Sequence, residues 1–205
     1  PRSRGLGDVY KRQQEIFSLD EMIKIWDPAR ISKSPAIFDP LKLRAINATY
    51  IRALPAEEFR KLADPFIDQA VHVQIDRDLL CANLQPRCEV LEDIPPQLDF
   101  FDAVLPIDAE MYRNKKQKTT PESAKEALSA LLPVLEAQTD WSRDAIFEAC
   151  KQKAEAMEKK NGWLLFPLGI ALSGKARTPG GGTDLAAMMG KEETLRRLNA
   201  AIEAL

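Results

Sequence analysis

The sequence predicts an all-α protein. Three observations carry this. Apolar residues recur at helical spacing through most segments, helix starts and stops are written into the chain, and no stretch alternates apolar and polar residues over a convincing strand length. The 205 residues suffice for one large or two small domains with a real core. No internal repeat is present.

The elements follow in order. Residues 17–27 read as a short helix: Ser18 and Glu21 have capping-box spacing, Phe17 and Met22 can form a hydrophobic staple, and Leu19, Met22, Ile23 and Trp26 share a face. Pro28 interrupts it. Asp39 is a cap and Pro40 suits a first helical position, with Leu43, Ile46, Tyr50 and Ile51 as the apolar stripe that follows. Pro55 breaks again, and AEEFRKLADPFI continues as helix. Residues 88–108 are rich in proline and acid and read as helix ends and turns. Thr120 and Pro121 open another helix, with Ala124, Leu128, Leu131 and Leu132 inward. Ser142 caps the next, stapled by Trp141 and Ile146, with Phe147, Cys150, Ala154 and Met157 on the same face; Asn161-Gly162 reads as its end. KEETLRRLNAAIEAL places Leu195, Leu198, Ile202 and Leu205 on one side.

Composition narrows the function. The net charge is −2, but residues 55–110 hold four basic residues against thirteen acidic ones, a local −9. No apolar run approaches the roughly 18 residues of a membrane helix, so a soluble protein is expected. Cys81, Cys88 and Cys150 form neither an even disulfide framework nor a CxxC pair, which suits a reducing, cytosolic setting and ordinary thiols. The single histidine, His72, lies between Val71 and Val73 and reads as structural; a His-rich metal site is excluded. Asp99, Asp102 and Asp108 read as solvated surface and helix caps.

Two stretches imitate chemistry. Gly169 to Ala176 nearly spells a phosphate loop, but Ala176 lacks the hydroxyl that follows the lysine there, and no helix follows. Residues 1–13, PRSRGLGDVYKRQ, have no periodicity, and Ser3 to Gln13 back-translate into a common sequencing-adapter end. They are expected to be non-native and are set apart.

Two basic segments remain. RNKKQK, with Lys115 and Lys116, is either a solvated loop or a set of phosphate contacts, since lysine and arginine gain affinity by releasing counterions. TPGGGTD is either a flexible loop or a place where backbone approaches a ligand closely.

Several ordered segments resemble one family. EIFSLDEMIKIWDPARISKSPAIFDPLKLRAINATYIRAL, then PRCEVLEDIP, MYRNKKQKTTPE, DWS and NGWLLFPLGIALSGKARTPGGGTDLAAMMGKEETLRRL are similar, in this order, to bacterial glutamyl-tRNA synthetases. The resemblance covers residues 14–205. It implies that residues 14–54 end a stem-contact domain, and that residues 55–118 and 119–205 are two helical anticodon-binding subdomains. The family's whole enzyme joins glutamate to tRNA through a glutamyl-adenylate, with ATP and magnesium on a Rossmann core. No HIGH-type motif of that core occurs here, so this chain alone is expected to be a C-terminal fragment without catalytic, cofactor or metal residues. ISKSPA imitates the family's catalytic loop but falls in the stem-contact part, so Ser32 and Lys33 receive no catalytic role.

The resemblance also implies contacts. Arg87 matches an anticodon-reading arginine, a side chain that can form bidentate bonds to an unstacked base. Thr178 and Pro179 match the loop that packs on the anticodon bases, and Lys151 falls near another basic contact. Gly169 stands where many relatives carry arginine or lysine, and Gly180-Gly181-Gly182 replaces bulkier residues. Lys175 and Arg177 compensate through phosphate contacts. The implied partner is tRNA(Glu), with tRNA(Gln) if the parent is non-discriminating; a cytoplasmic monomer is expected. The competing reading is a helical protein-interaction module without RNA function, for which these basic residues would scatter over different faces.

Overall fold

The computed structural model describes residues 16–30 and 38–205. The adapter-like arm and ISKSPA, with Ser32 and Lys33, lie outside the described residues. The chain separates into two compact units, residues 1–46 and 47–205.

Among the described residues of the first unit, the chain enters α1 (Leu19–Ile25). Ser18 Oγ accepts from the Glu21 amide at 3.3 Å, and Glu21 Oε2 accepts from the Ser18 amide at 2.8 Å, so the capping box is formed. The apolar stripe exists but is uncovered: Leu19, Ile23 and Trp26 are each about two-thirds exposed. A 3₁₀ turn follows at Pro28–Arg30. Helix α2 (Pro40–Ala53) starts as the sequence dictates, with Asp39 Oδ1 accepting from the amides of Leu41 and Lys42. Its stripe is only partly inward. Ala48 and Ile51 are buried, while Leu43 and Tyr50 are exposed.

The second unit is helical throughout, and among the described residues there is no strand, only a bridge between Asn114 and Thr119. Helix α3 (Ala56–Ile67) packs on α4 (Arg77–Leu84), which Asp76 caps. The proline-rich stretch forms 3₁₀ turns and a single helical turn, α5 (Pro95–Leu98). Helix α6 (Pro121–Ala137) has Thr120 as cap, and α7 (Arg143–Ala156) has Ser142. Then come α8 (Asn161–Ser173), α9 (Gly182–Met189) and α10 (Lys191–Ala204).

Helix α8 is the hub, touching α6, α7, α9 and α10. Its Trp163, Leu164, Leu168, Ile170 and Leu172 are all buried. Burying each such side chain contributes about 1.5–3 kcal/mol. A helix that is apolar on every face shows no amphipathic period, and the sequence reading placed no helix there. That reading also misplaced Asn161-Gly162. Helix α7 stops at Ala156, Glu158 takes the left-handed backbone (φ 54°), and Asn161 opens α8 instead. The phosphate-loop imitation dissolves likewise: Gly169–Ser173 is helix, and Gly174 (φ 69°) is its left-handed cap.

Two expectations about polar residues change, and a buried charge appears that the sequence reading did not single out. His72 is not lodged among its apolar neighbours. Its side chain is mostly exposed, and Nδ1 lies 2.5 Å from Asp102 Oδ2. Asp102 is no free surface acid, because Oδ1 also accepts from the His72 amide at 2.7 Å. Arg197, which falls between the apolar positions of the last helix, is 1% exposed. The three cysteines are all buried, and burial pushes the Cys150 thiol up to about 12.

Candidate nucleic-acid interface

The site grows from the end of α8. Gly174 turns the chain sharply, and a Cβ there would meet the Leu105 carbonyl oxygen at 2.5 Å. The loop 174–181 that follows is held from two sides by residues 85–99. Arg87, on the 3₁₀ turn after α4, donates from Nη1 to the Pro179 carbonyl at 2.6 Å. Lys175 Nζ donates to the Pro96 carbonyl at 2.8 Å and pairs with the Asp99 carboxylate. Thr178 Oγ1 donates to the Gly180 carbonyl at 2.6 Å, shaping the bend.

Between these pieces lies an open cleft of about 690 Å³. Arg87, Lys175, Arg177 and Thr178 line one part, Leu165, Phe166 and Ile170 of α8 another. Arg177 is exposed and has no ion-pair partner among the described residues. The cleft thus offers a guanidinium with one nitrogen committed, a second guanidinium that is uncommitted, and an aromatic wall. These groups suit a planar anionic ligand such as an unstacked nucleotide.

The glycines build the cleft rather than loosen it. A Cβ on Gly182 would sit 2.8 Å from the Leu165 carbonyl oxygen and 3.0 Å from the Gly169 amide nitrogen. Gly182 therefore lets α9 lie directly on α8, so the close backbone approach is to the protein's own helix. Gly169 is different. A Cβ there would meet nothing nearer than 3.8 Å, an ordinary contact. Asp184 fixes the entry to α9, accepting from the Gly181 amide at 2.7 Å and from Arg143 Nε at 3.0 Å.

The sequence-selected basic residues divide. Arg87, Lys175 and Arg177 gather at the cleft with Thr178 and Pro179. Lys115 and Lys116 sit on an exposed turn closed by paired 3.1 Å bonds between Asn114 and Thr119. Gln117 of that turn abuts Gly162, at the other end of α8. At 1.5 Å per residue, the two ends of α8 stand about 18 Å apart. Lys151 lies on α7 and pairs with Glu148 at 3.2 Å, outside the cleft. Phe166 and Gln97 escaped the sequence reading, since an aromatic in an apolar run carries no sign that it lines a cleft.

Six of the thirteen acids in residues 55–110 have a basic partner. Asp64 and Asp68 pair with Arg77, Asp78 with Arg60, Asp99 with Lys175, Asp102 with His72 and Glu110 with Arg113. Arg60 and Arg77 are already within the −9 count, so it is the pairing with Lys175 and Arg113, from outside the segment, that offsets it. Among the described residues no three His, Cys, Asp or Glu side chains converge on a metal position. With Gly169–Ser173 folded into α8, the phosphate-loop imitation forms no phosphate loop, and no chemical step is assigned to it.

Residues 48–202 match the family described as the anticodon binding domain. The chain belongs to that family. This anticodon-binding chain is also similar to whole ligases. It is 42% identical over 193 residues to the glutamate–tRNA ligase of Clostridium botulinum strain Hall, covering 94% of this chain and 40% of that protein. With the glutamate–tRNA ligase of Clostridium acetobutylicum the figures are 42% over 192 residues, 93% and 40%. Among solved structures, a glutamate tRNA ligase from Elizabethkingia meningosepticum superposes with a TM-score of 0.77 at 26% identity, covering 95% of this chain and 38% of that one. The glutamate–tRNA synthetase of Elizabethkingia anophelis gives 0.73 at 25% identity. The chain spans about 40% of the length of the curated relatives it matches.

Proposed function

We propose that this anticodon-binding chain grips the anticodon arm of tRNA(Glu) for a glutamate–tRNA ligase. The observation that carries the reading is the Arg87–Pro179 bond. It sets a guanidinium at the mouth of a cleft with an aromatic wall, on the loop that the resemblance assigns to anticodon packing. A guanidinium fork suits the edge of a splayed base, and Phe166 suits its face. Lys175 and Arg177 serve the flanking phosphates. Lys115, Lys116 and Lys151 contact the RNA outside the cleft.

The layout proposed with this function is a stem-contact end over residues 14–54 and anticodon-binding subdomains over residues 55–118 and 119–205. Activation of glutamate by ATP and its transfer to tRNA belong to the rest of such a ligase, a monomer of the cytoplasm. The present chain charges no tRNA by itself. Among its described residues no helix is long and apolar enough to cross a membrane.

Filter binding tests the reading. Wild-type chain retains tRNA(Glu) with micromolar or weaker affinity that falls steeply with salt. Arg87→Ala costs about 1–3 kcal/mol if the arginine reads a base. Retention of tRNA(Glu) but not tRNA(Gln) identifies a discriminating parent. Absent or salt-insensitive binding overturns the proposal in favour of a protein-interaction module.

A further inference from the structure

A second cationic surface lies at the far end of α8. Lys115, Lys116 and Lys118 project from the exposed turn before α6, and Lys159 and Lys160 from the segment leading into α8. The turn and the helix start are brought together by the Gln117 carboxamide, which occupies the space a Cβ on Gly162 would fill. All five lysines are exposed, and among the described residues none is paired with an acid. Lys159 lies instead over the Trp163 ring at 5.1 Å. Arg113, next to the turn, is already neutralised by Glu110 at 2.7 Å. The acids at the end of α7, Glu155 and Glu158, make no ion pair with these lysines.

This arrangement concentrates positive charge. Five like charges share one corner, and two of them precede a helix whose first turn holds no acid. Cations at that end of a helix are disfavoured by the peptide dipoles. Elsewhere the chain does otherwise, placing acids in the first turns of α6, α7 and α10. Such a concentration of unpaired cations attracts an anion.

We propose that this lysine corner is a second, sequence-independent RNA contact that holds the phosphate backbone of the bound tRNA. The assignment rests on the function proposed above. Its distance of about 18 Å from the cleft, along α8, corresponds to several nucleotides of a strand. The corner presents exposed lysines rather than the aromatic wall of the cleft, which suits phosphates and not bases. Binding energy would thus be divided, with the cleft selecting the tRNA and the corner supplying salt-sensitive affinity.

The test uses the whole chain carrying Lys115→Gln, Lys116→Gln and Lys160→Gln together, leaving Lys159 on Trp163. The expected result is a slope of log affinity against log salt that is shallower by about two to three, about one per lost phosphate contact. The preference between tRNA(Glu) and tRNA(Gln) stays as in wild type, and the melting temperature without RNA does not fall. In the wild-type complex, bound tRNA should also shield these three lysines from acetylation. An unchanged slope, or full acetylation in the complex, overturns the RNA assignment and leaves the corner to an acidic protein partner. A wild-type chain that retains no tRNA at all overturns the underlying function as well, so the two failures are distinguishable.

Discussion

Arg87 and Pro179 are ninety-two residues apart in sequence and joined by one 2.6 Å bond from a guanidinium nitrogen to a carbonyl oxygen. The bond leaves the rest of the guanidinium fork facing the cleft, and it couples the position of the arginine to that of the loop. Arg87→Lys keeps the charge but loses the fork. The expected outcome is a salt slope close to wild type with weakened discrimination between anticodon-loop variants, read by filter binding with a panel of stem-loop RNAs.

Gly182 and Gly169 face each other across the α8–α9 contact, yet only one is sterically required. Gly182→Ala drives a methyl group against the Leu165 carbonyl and the Gly169 amide, backbone atoms that cannot swing away. Destabilisation of about 1–3 kcal/mol is expected, with weaker RNA binding because the cleft wall moves. Gly169→Ala adds its methyl group at ordinary contact distance, removes a helix-interior glycine, and should be neutral or slightly stabilising. Urea midpoints of the two variants give the comparison.

Arg197 is the buried charge that ties the second unit together. It donates to the carbonyls of Phe100, Phe101 and Leu172 at 2.6–2.7 Å, and Nε bonds to Glu193 at 2.5 Å. Those carbonyls belong to the α5 region and the end of α8, so one side chain joins three parts of the chain. Arg197→Met leaves the carbonyls without their donor and should cost about 3–5 kcal/mol. A circular-dichroism melt that moves by only a degree or two would refute this.

Acid should find the same place. Glu193 is held down to about 2, first by its hydrogen bonds to Arg196, with burial opposing and Arg197 adding to the effect. Folding lowers this pKa from its ordinary 4.5, so the stability it supplies is complete above about pH 4.5 and drains as the pH falls toward 2. Melting temperatures recorded between pH 6 and 2.5 should fall over the lower part of that range. In Glu193→Gln the part of the fall due to this carboxylate should be missing.

Much of the architecture is legible in local sequence. Ser18, Asp39, Thr120 and Ser142 each precede a helix and each accept its amide bonds, because capping is a matter of three or four neighbouring residues. Where the determinant is not local, legibility ends. Helix α8 hides because it is apolar on every face and so carries no period, and Asn161-Gly162 misleads because the left-handed residue is Glu158. The resemblance pointed to Arg87, Lys175, Arg177, Thr178 and Pro179, but nothing local shows that they meet.

The sequence by itself determined a helical chain, the start of most of its helices and its family. These follow from short-range periodicity, capping and ordered motifs, all read along the chain. The tertiary structure alone decided which charges are spent and which are free. It neutralises Lys175 with Asp99, buries Arg197 against backbone carbonyls, leaves Arg177 open at a cleft, and crowds five lysines at one corner. The physical reason is that charge and hydrogen-bond partners are chosen by distance in space, across separations that no local pattern encodes.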